Sequence, residues 1–343
     1  MHISLLPSEL IADVFLNLPT VSSVLAFSST CHRFRQVFTL SKRLSILYQA
    51  AENEYGPTKD IVHIVTHNSS QPAHLHRTVP LSDSLIRSVI SIGRIAAKWE
   101  AVYPFKKWRA DYAHRRSISD LERFRLRRAL YRLWLFSRAF HDGSVSRSMR
   151  SMPAAQHERT LLLHNFSSIE LAEMLDVHDM LRHTISSNIC PSNATVARKF
   201  QKRHPNSNYQ LLFNTHLNFA PPSSFVPNAT HYCSDVAASS WHNKYVPTAN
   251  HEPGAEGWGD DILHYYVVED MLKLDPEQLM HLKEHTPYKS QVESFVKGLG
   301  DWFDNNGETF VPTLHQVIRD RGQDVDDFEE SIRDGELGVA LGL

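Results

Sequence analysis

The side chains in this 343-residue chain best spaced for chemistry are His281, Glu284 and His285, in the run His-Leu-Lys-Glu-His. Histidines four apart on a helix project from one face and can share a metal ion, and the glutamate between them is placed as a base for metal-assisted hydrolysis. The set is incomplete. A catalytic metal needs a third protein ligand, and the close pair of glutamates downstream, Glu329 and Glu330, sits in an acidic stretch. Pro287 ends the helix at once, and among 21 histidines an i,i+4 pair arises by chance, His63 with His67 being another. The pair therefore reads as surface histidines, with no metal and no other cofactor expected. There is no Gly-x-Ser-x-Gly elbow and no Gly-Lys-Ser/Thr phosphate loop, and Gly298-x-Gly300 lacks the rest of a dinucleotide fingerprint. Cys31, Cys190 and Cys233 are too scattered for a disulfide framework or a zinc pattern and have no activating neighbours, which fits a reducing compartment. The chain is not expected to be an enzyme.

The elements at the start of the chain carry a different kind of signal. Pro7 suits the opening of a helix in which Leu10, Ile11, Val14, Phe15 and Leu18 recur at helical spacing. Pro19 stops that helix. Thr20, Ser22 and Ser23 offer caps for a second, with Val24, Leu25 and Phe27, and Thr30 opens a third, with Cys31, Phe34 and Phe38. Three such helices cannot bury every apolar face among themselves, and each large side chain left exposed forgoes about 1.5–3 kcal/mol. The unit should therefore dock, on a partner or on the rest of its own chain.

The order Leu6-Pro7-x-Glu9, paired aliphatics Leu10-Ile11 and Val14-Phe15, a second Leu18-Pro19, then Val24-Leu25 and Cys31 to Arg33-Phe34-Arg35 resembles an F-box. The resemblance covers only about the first tenth of the chain. It implies a helical module that binds a Skp-family adaptor, which links in turn to a cullin scaffold. The chain would then be the non-catalytic substrate-receptor subunit of a Skp-cullin-F-box ubiquitin ligase, holding a protein target for ubiquitination and degradation. The adaptor-binding residues so implied are Leu6, Pro7, Leu10, Ile11, Val14, Phe15, Leu18, Pro19, Val24, Leu25 and Phe34, through contact or local packing. The alternatives are an F-box protein working with the adaptor outside a ligase and, more weakly supported, a zinc peptidase built on residues 281–285 or a nucleic-acid binder.

The rest of the chain reads as helices without a repeat period, so neither a propeller nor a solenoid is expected. Leu85, Ile86, Val89, Ile92, Ala96 and Trp99 form one helical face up to Pro104. Ser119 with Glu122 forms a capping box ahead of Leu126, Leu130, Leu133 and Trp134, and Ser167 with Glu170 forms another. Asp275-Pro276 opens a short helix, and strand-like alternation is confined to stretches such as Ile61 to Val65. The expected fold is all-α: a short three-helix F-box over 1–45, then an irregular helical recognition body over 46–343, with at most one small β-hairpin. A loop-rich insert at about 187–260 includes Pro221-Pro222-Ser223-Ser224. Its Trp241, Tyr245 and Trp258 either contribute to a recognition surface or pin the segment to the helices.

Charge and hydropathy bound the partners. The net charge of −2 argues against a globally basic nucleic-acid binder, and 42% hydrophobic residues suffice for a sizeable core. Basic residues nevertheless crowd between Arg94 and Arg138, whereas acids crowd from Asp320 to Glu336. That acidic stretch would either cover the basic helices or stay solvated. No run of eighteen apolar residues and no basic leader is present, so no membrane partner is expected and the location is expected to be cytoplasm, nucleus or both.

Overall fold

The computed structural model describes residues 6–40, 42–143, 147–203, 205, 257–303 and 307–342. Fifteen α-helices and no β-strand occur among the described residues. They are α1 (Ser8–Leu16), α2 (Val21–Ser29), α3 (His32–Leu40), α4 (Arg43–Tyr55), α5 (Thr58–Thr66), α6 (Asp83–Lys107), α7 (Asp120–Phe140), α8 (Pro153–His164), α9 (Ser168–Thr184), α10 (Asn193–Arg203), α11 (Asp261–Met271), α12 (Pro276–His285), α13 (Lys289–Leu299), α14 (Phe310–Asp320) and α15 (Val325–Arg333). Most of the insert, with Trp241, Tyr245 and Cys233, lies outside the described residues. The helices fall into two compact units. One comprises Met1–Arg182, Lys273–Met280 and Glu308–Leu343, the other His183–Leu272 and His281–Gly307.

The all-α class holds, and two local expectations are corrected. Ile61 to Val65 is helical, inside α5, where Ile61 and Ile64 are buried three positions apart. A five-residue apolar stretch fits a helical stripe as well as a strand, and packing decides between them. Helix α6 does not stop at Pro104 but runs on to Lys107, with the Trp108 amide donating to the Pro104 carbonyl at 3.3 Å. Proline removes only the bond its own amide would make to the Glu100 carbonyl; the later amides keep theirs, so the helix runs on for one more turn.

The expected start signals are in place because they are local. The Ser82 hydroxyl accepts from the Leu85 amide, and Ser119 and Glu122 cap each other's amides reciprocally. Ser167 and Glu170 do the same, and Asp275 accepts from the Gln278 amide. The core of the first unit then assembles around α6 and α7, with Trp99, Tyr103, Tyr131 and Trp134 all inaccessible to solvent. Three of their four polar ends are used inside: Trp99 Nε1 donates to the Pro276 carbonyl at 3.0 Å and the Tyr131 hydroxyl to the Tyr55 carbonyl at 2.9 Å. The Tyr103 hydroxyl donates to Asp176 at 2.7 Å, which also accepts from Lys107 and from the Val339 amide of the closing segment.

Helix α4 ties the N-terminal helices to this core. It packs on α1, α2 and α3 on one side and on α6 on the other, with Ala50 and Ala51 fully buried. Gly93 of α6 lies against the Tyr55 ring so closely that a Cβ there would stand 2.3 Å from Tyr55 Cγ. Small residues on both helices permit this approach.

One buried group sets an acid limit on the unit. His178 of α9 is 3% exposed, packs against Phe310, and has no hydrogen-bond partner at either ring nitrogen. Burial first, then the nearby charges of Arg182 and His141, pulls its imidazole down to about 3. Above the ordinary histidine range both the folded and unfolded chains hold it neutral, so its titration does not change stability there. Below about pH 6.5 only the unfolded chain takes the proton, and stability falls by on the order of 2 kcal/mol by pH 5. Urea midpoints taken at pH 7.5 and pH 5 should therefore differ less in His178→Leu than in the parent chain.

Candidate functional site

The first three helices sort the candidate residues into two groups. Ile11, Phe15, Val24 and Phe34 are buried, at 1%, 0%, 0% and 4% exposure. Phe27 joins them: its ring stands 4.9 Å from that of Phe15 and 4.4 Å from that of Phe34, and Phe38 closes the cluster 5.6 Å from Phe15. These residues make the interior of the unit. Leu10 and Leu25, at 48% and 49% exposure, point away from it, and Pro7 and Pro19 are exposed as well. Leu6, Val14 and Leu18 are half-buried. Pro7, Leu10 and Val14 follow one another at i, i+3 and i+7, so they form one stripe along α1. Cys31 is half-buried rather than enclosed.

The backbone geometry of this unit is fixed by polar contacts, the first of them the expected cap. Thr20 caps α2, accepting from the Ser23 amide at 3.0 Å. Glu54, near the end of α4, accepts from the Val21 amide at 2.8 Å, and Asn53 donates to the Leu18 carbonyl at 3.1 Å. Together they clamp the Leu18 to Val21 corner around Pro19. Arg33 of α3 donates to the Leu6 carbonyl at 2.6 Å, holding the approach to α1. Asn53 and Glu54 sit more than thirty positions from their partners, and no local pattern marks such a contact.

Residues 3–45 match the family model of the F-box domain. This chain carries an F-box. The matched segment spans α1 to α3 and ends three residues into α4, so the F-box leads without a break into a helix of the first unit's core. F-box modules serve generally as docking elements for Skp-family adaptors in ubiquitin ligases. No curated protein and no solved structure matches the chain.

The other candidate chemistries take a plain form beside the F-box. His281 and His285 have ring centroids 5.1 Å apart, His285 is well exposed, and the carboxylate of its own neighbour Glu284 stands 3.9 Å from it. Among the described residues no three histidine, cysteine, aspartate or glutamate side chains are grouped to hold a metal ion. Also among the described residues, no helix is long and apolar enough to cross a membrane.

The arginines of α7 are held by carboxylates of the same unit. Arg132, 6% exposed, reaches Asp60 of α5 at 3.3 Å and Glu170 of α9 at 2.9 Å. Arg128 makes a forked contact with Glu173 of α9, and Arg127 bonds Glu100 of α6. Arg116, just before α7, grips Glu122 with both terminal nitrogens, and this holds the Glu122 carboxyl down at about 2. Burial pushes the Asp60 and Glu173 carboxyls up while the arginines beside them pull the other way. Drawing Arg132 out of this network would leave the buried Asp60 carboxylate without its arginine, at a cost of about 3–5 kcal/mol. The carboxylates that cover these arginines come from α5, α6, α7 and α9. In the acidic stretch, Asp324 caps α15 and Glu329 faces His315, while Asp320 meets His164 of α8 at 3.6 Å.

Proposed function

We propose that this chain is the non-catalytic substrate receptor of a Skp-cullin-F-box ubiquitin ligase. It grips the adaptor through the F-box and holds a protein target with the helical body. The observation that carries this reading is the exposure of Leu10 and Leu25 on helices whose opposite sides are fully engaged in a phenylalanine interior. Two large aliphatic side chains kept in water on a folded module are what an adaptor would cover, since burial of each is worth about 1.5–3 kcal/mol. On this reading Leu6, Pro7, Leu10, Val14, Leu18, Pro19 and Leu25 touch the adaptor, while Ile11, Phe15, Val24 and Phe34 set the shape that presents them.

Mechanistically the receptor contributes proximity and no bond chemistry. Tethering raises the effective concentration of target lysines near the ubiquitin-charged enzyme. The working location is then cytoplasm or nucleus. The test is an affinity purification of the wild-type chain and of Leu10→Asp with Leu25→Asp while the proteasome is blocked. Adaptor, cullin and stabilised proteins that come down with wild type and not with the variant support the receptor role. Adaptor without cullin would mean that the chain works outside a ligase, and absence of both would sink the assignment.

A further inference from the structure

Arg115 differs from the other arginines that crowd the start of α7. Its guanidinium carbon lies 5.0 Å over the ring of Phe105 and 4.6 Å over that of Tyr112, and its Nε has no hydrogen-bond partner. Arg116, Arg123, Arg125, Arg127, Arg128 and Arg132 all face carboxylates within 4 Å, whereas Arg115 faces two aromatic rings. Those rings are not buried: Phe105 is 60% and Tyr112 71% exposed, the latter the most exposed aromatic side chain of this unit. The nearest acid in sequence, Asp111, is taken by the imidazole and amide of His114.

A guanidinium lying over ring faces is held in place without using its in-plane N–H donors, and because the Arg115 Nε is enclosed, its two terminal nitrogens are the ones a ligand would meet. Such an arrangement suits a carboxylate, which two parallel N–H donors can hold in a fork, with apolar neighbours of the acid resting on the rings. Lys106, near the end of α6, and Arg109, just after it, are further basic residues of this stretch. We infer that Phe105, Tyr112 and Arg115 form a docking site for an unmodified acidic peptide segment, rich in Asp or Glu with adjacent aliphatic side chains, carried by the protein that the receptor recruits. The assignment of that segment to a ubiquitination target rests on the receptor reading. The binding chemistry does not.

The test uses the full chain and three short fluorescein-labelled peptides of common spacing: one of Asp and Glu alternating with Leu, one with Asn and Gln at the acidic positions, and one with phosphoserine there. The acidic peptide should bind with salt-dependent affinity. It should lose about tenfold or more with Arg115→Gln and with Tyr112→Ala, as expected for a charge-assisted pair on an aromatic bed. Arg115→Lys keeps the charge but not the planar fork, and should recover only part of the affinity. Phe105→Ala supplies a further readout if any of these variants shows a lowered thermal midpoint. Equal binding of the acidic and amide peptides, full affinity in Arg115→Gln, or binding of the phosphoserine peptide alone overturns the inference. Adaptor capture is measured on the same variants and should not change. Its absence from the wild-type chain removes the receptor reading and leaves the peptide result to stand or fall separately.

Discussion

Aspartate at both Leu10 and Leu25 is expected to reduce adaptor capture by more than a hundredfold while leaving the chain folded. Each leucine is about half exposed, so a charge there meets water in the free protein and changes stability within about 0.5 kcal/mol. In a complex the same charge would be driven into an apolar contact with no partner. Interface residues of this kind commonly cost 2 kcal/mol or more when lost, and two of them at least that much each. The measurement is co-purification of adaptor alongside the helical circular-dichroism signal and thermal midpoint of the free chain. Phe15 cannot serve in this experiment, although it lies on the same helix. It is fully enclosed and in ring contact with Phe27 and Phe38, so Phe15→Asp would dismantle the module and report nothing about the surface. Loss of capture in Leu10→Asp, Leu25→Asp with an unchanged melting profile is the informative outcome. Retained capture would place the adaptor contact elsewhere.

Valine at Gly93 should destabilise the first unit by about 1–3 kcal/mol or more, the usual range for overfilling a packed contact. Two effects oppose each other for the smaller change to alanine. Helix propensity favours alanine over glycine by about 1 kcal/mol, which would stabilise α6 if there were room. There is none: a Cβ would fall 2.3 Å from Cγ and 2.6 Å from Cβ of Tyr55, atoms at the root of a ring rather than its mobile end. Tyr55 has little freedom to retreat, being 6% exposed and holding the Tyr131 hydroxyl with its carbonyl. Crowding therefore wins, moderately for Gly93→Ala and strongly for Gly93→Val. Urea unfolding should show a lower midpoint with the slope unchanged. A cycle with Tyr55→Ala should reveal coupling, since removing Cγ and the ring takes away the nearest contact, and strict additivity would show that the contact is not the cause.

The sequence made the helices legible where their determinants are local. The capping pairs Ser119 with Glu122 and Ser167 with Glu170, the Asp275-Pro276 start and the Pro19 break all stand where three or four consecutive residues put them. The residues of the F-box were legible as a set, but their division was not. Leu10 and Ile11 are neighbours of nearly equal hydrophobicity, and only the rotation of α1 against α3 and α4 sends one out to 48% exposure and the other in to 1%. The carboxylates that neutralise the arginines were hidden for the same reason, Asp60 lying far upstream of Arg132 and Glu173 far downstream of Arg128. In the same way Ile61 to Val65 carries too few residues to declare its period, and Pro104 broke no helix because α6 was already near its end.

Helix α4 begins inside the F-box and ends against Gly93, so between the F-box and the rest of the first unit there is no joint to bend. A receptor with a flexible tether sweeps its cargo through many orientations and marks whatever lysine drifts into range. One whose handle is a rigid thirteen-residue rod offers whatever this first unit grips at a set reach and bearing. Selectivity would then operate twice, once in which protein is held and again in which of its lysines stand under the catalyst. On the receptor reading, a target gripped at Arg115 should accordingly be ubiquitinated on a narrow arc of its surface, which mapping the modified lysines would show.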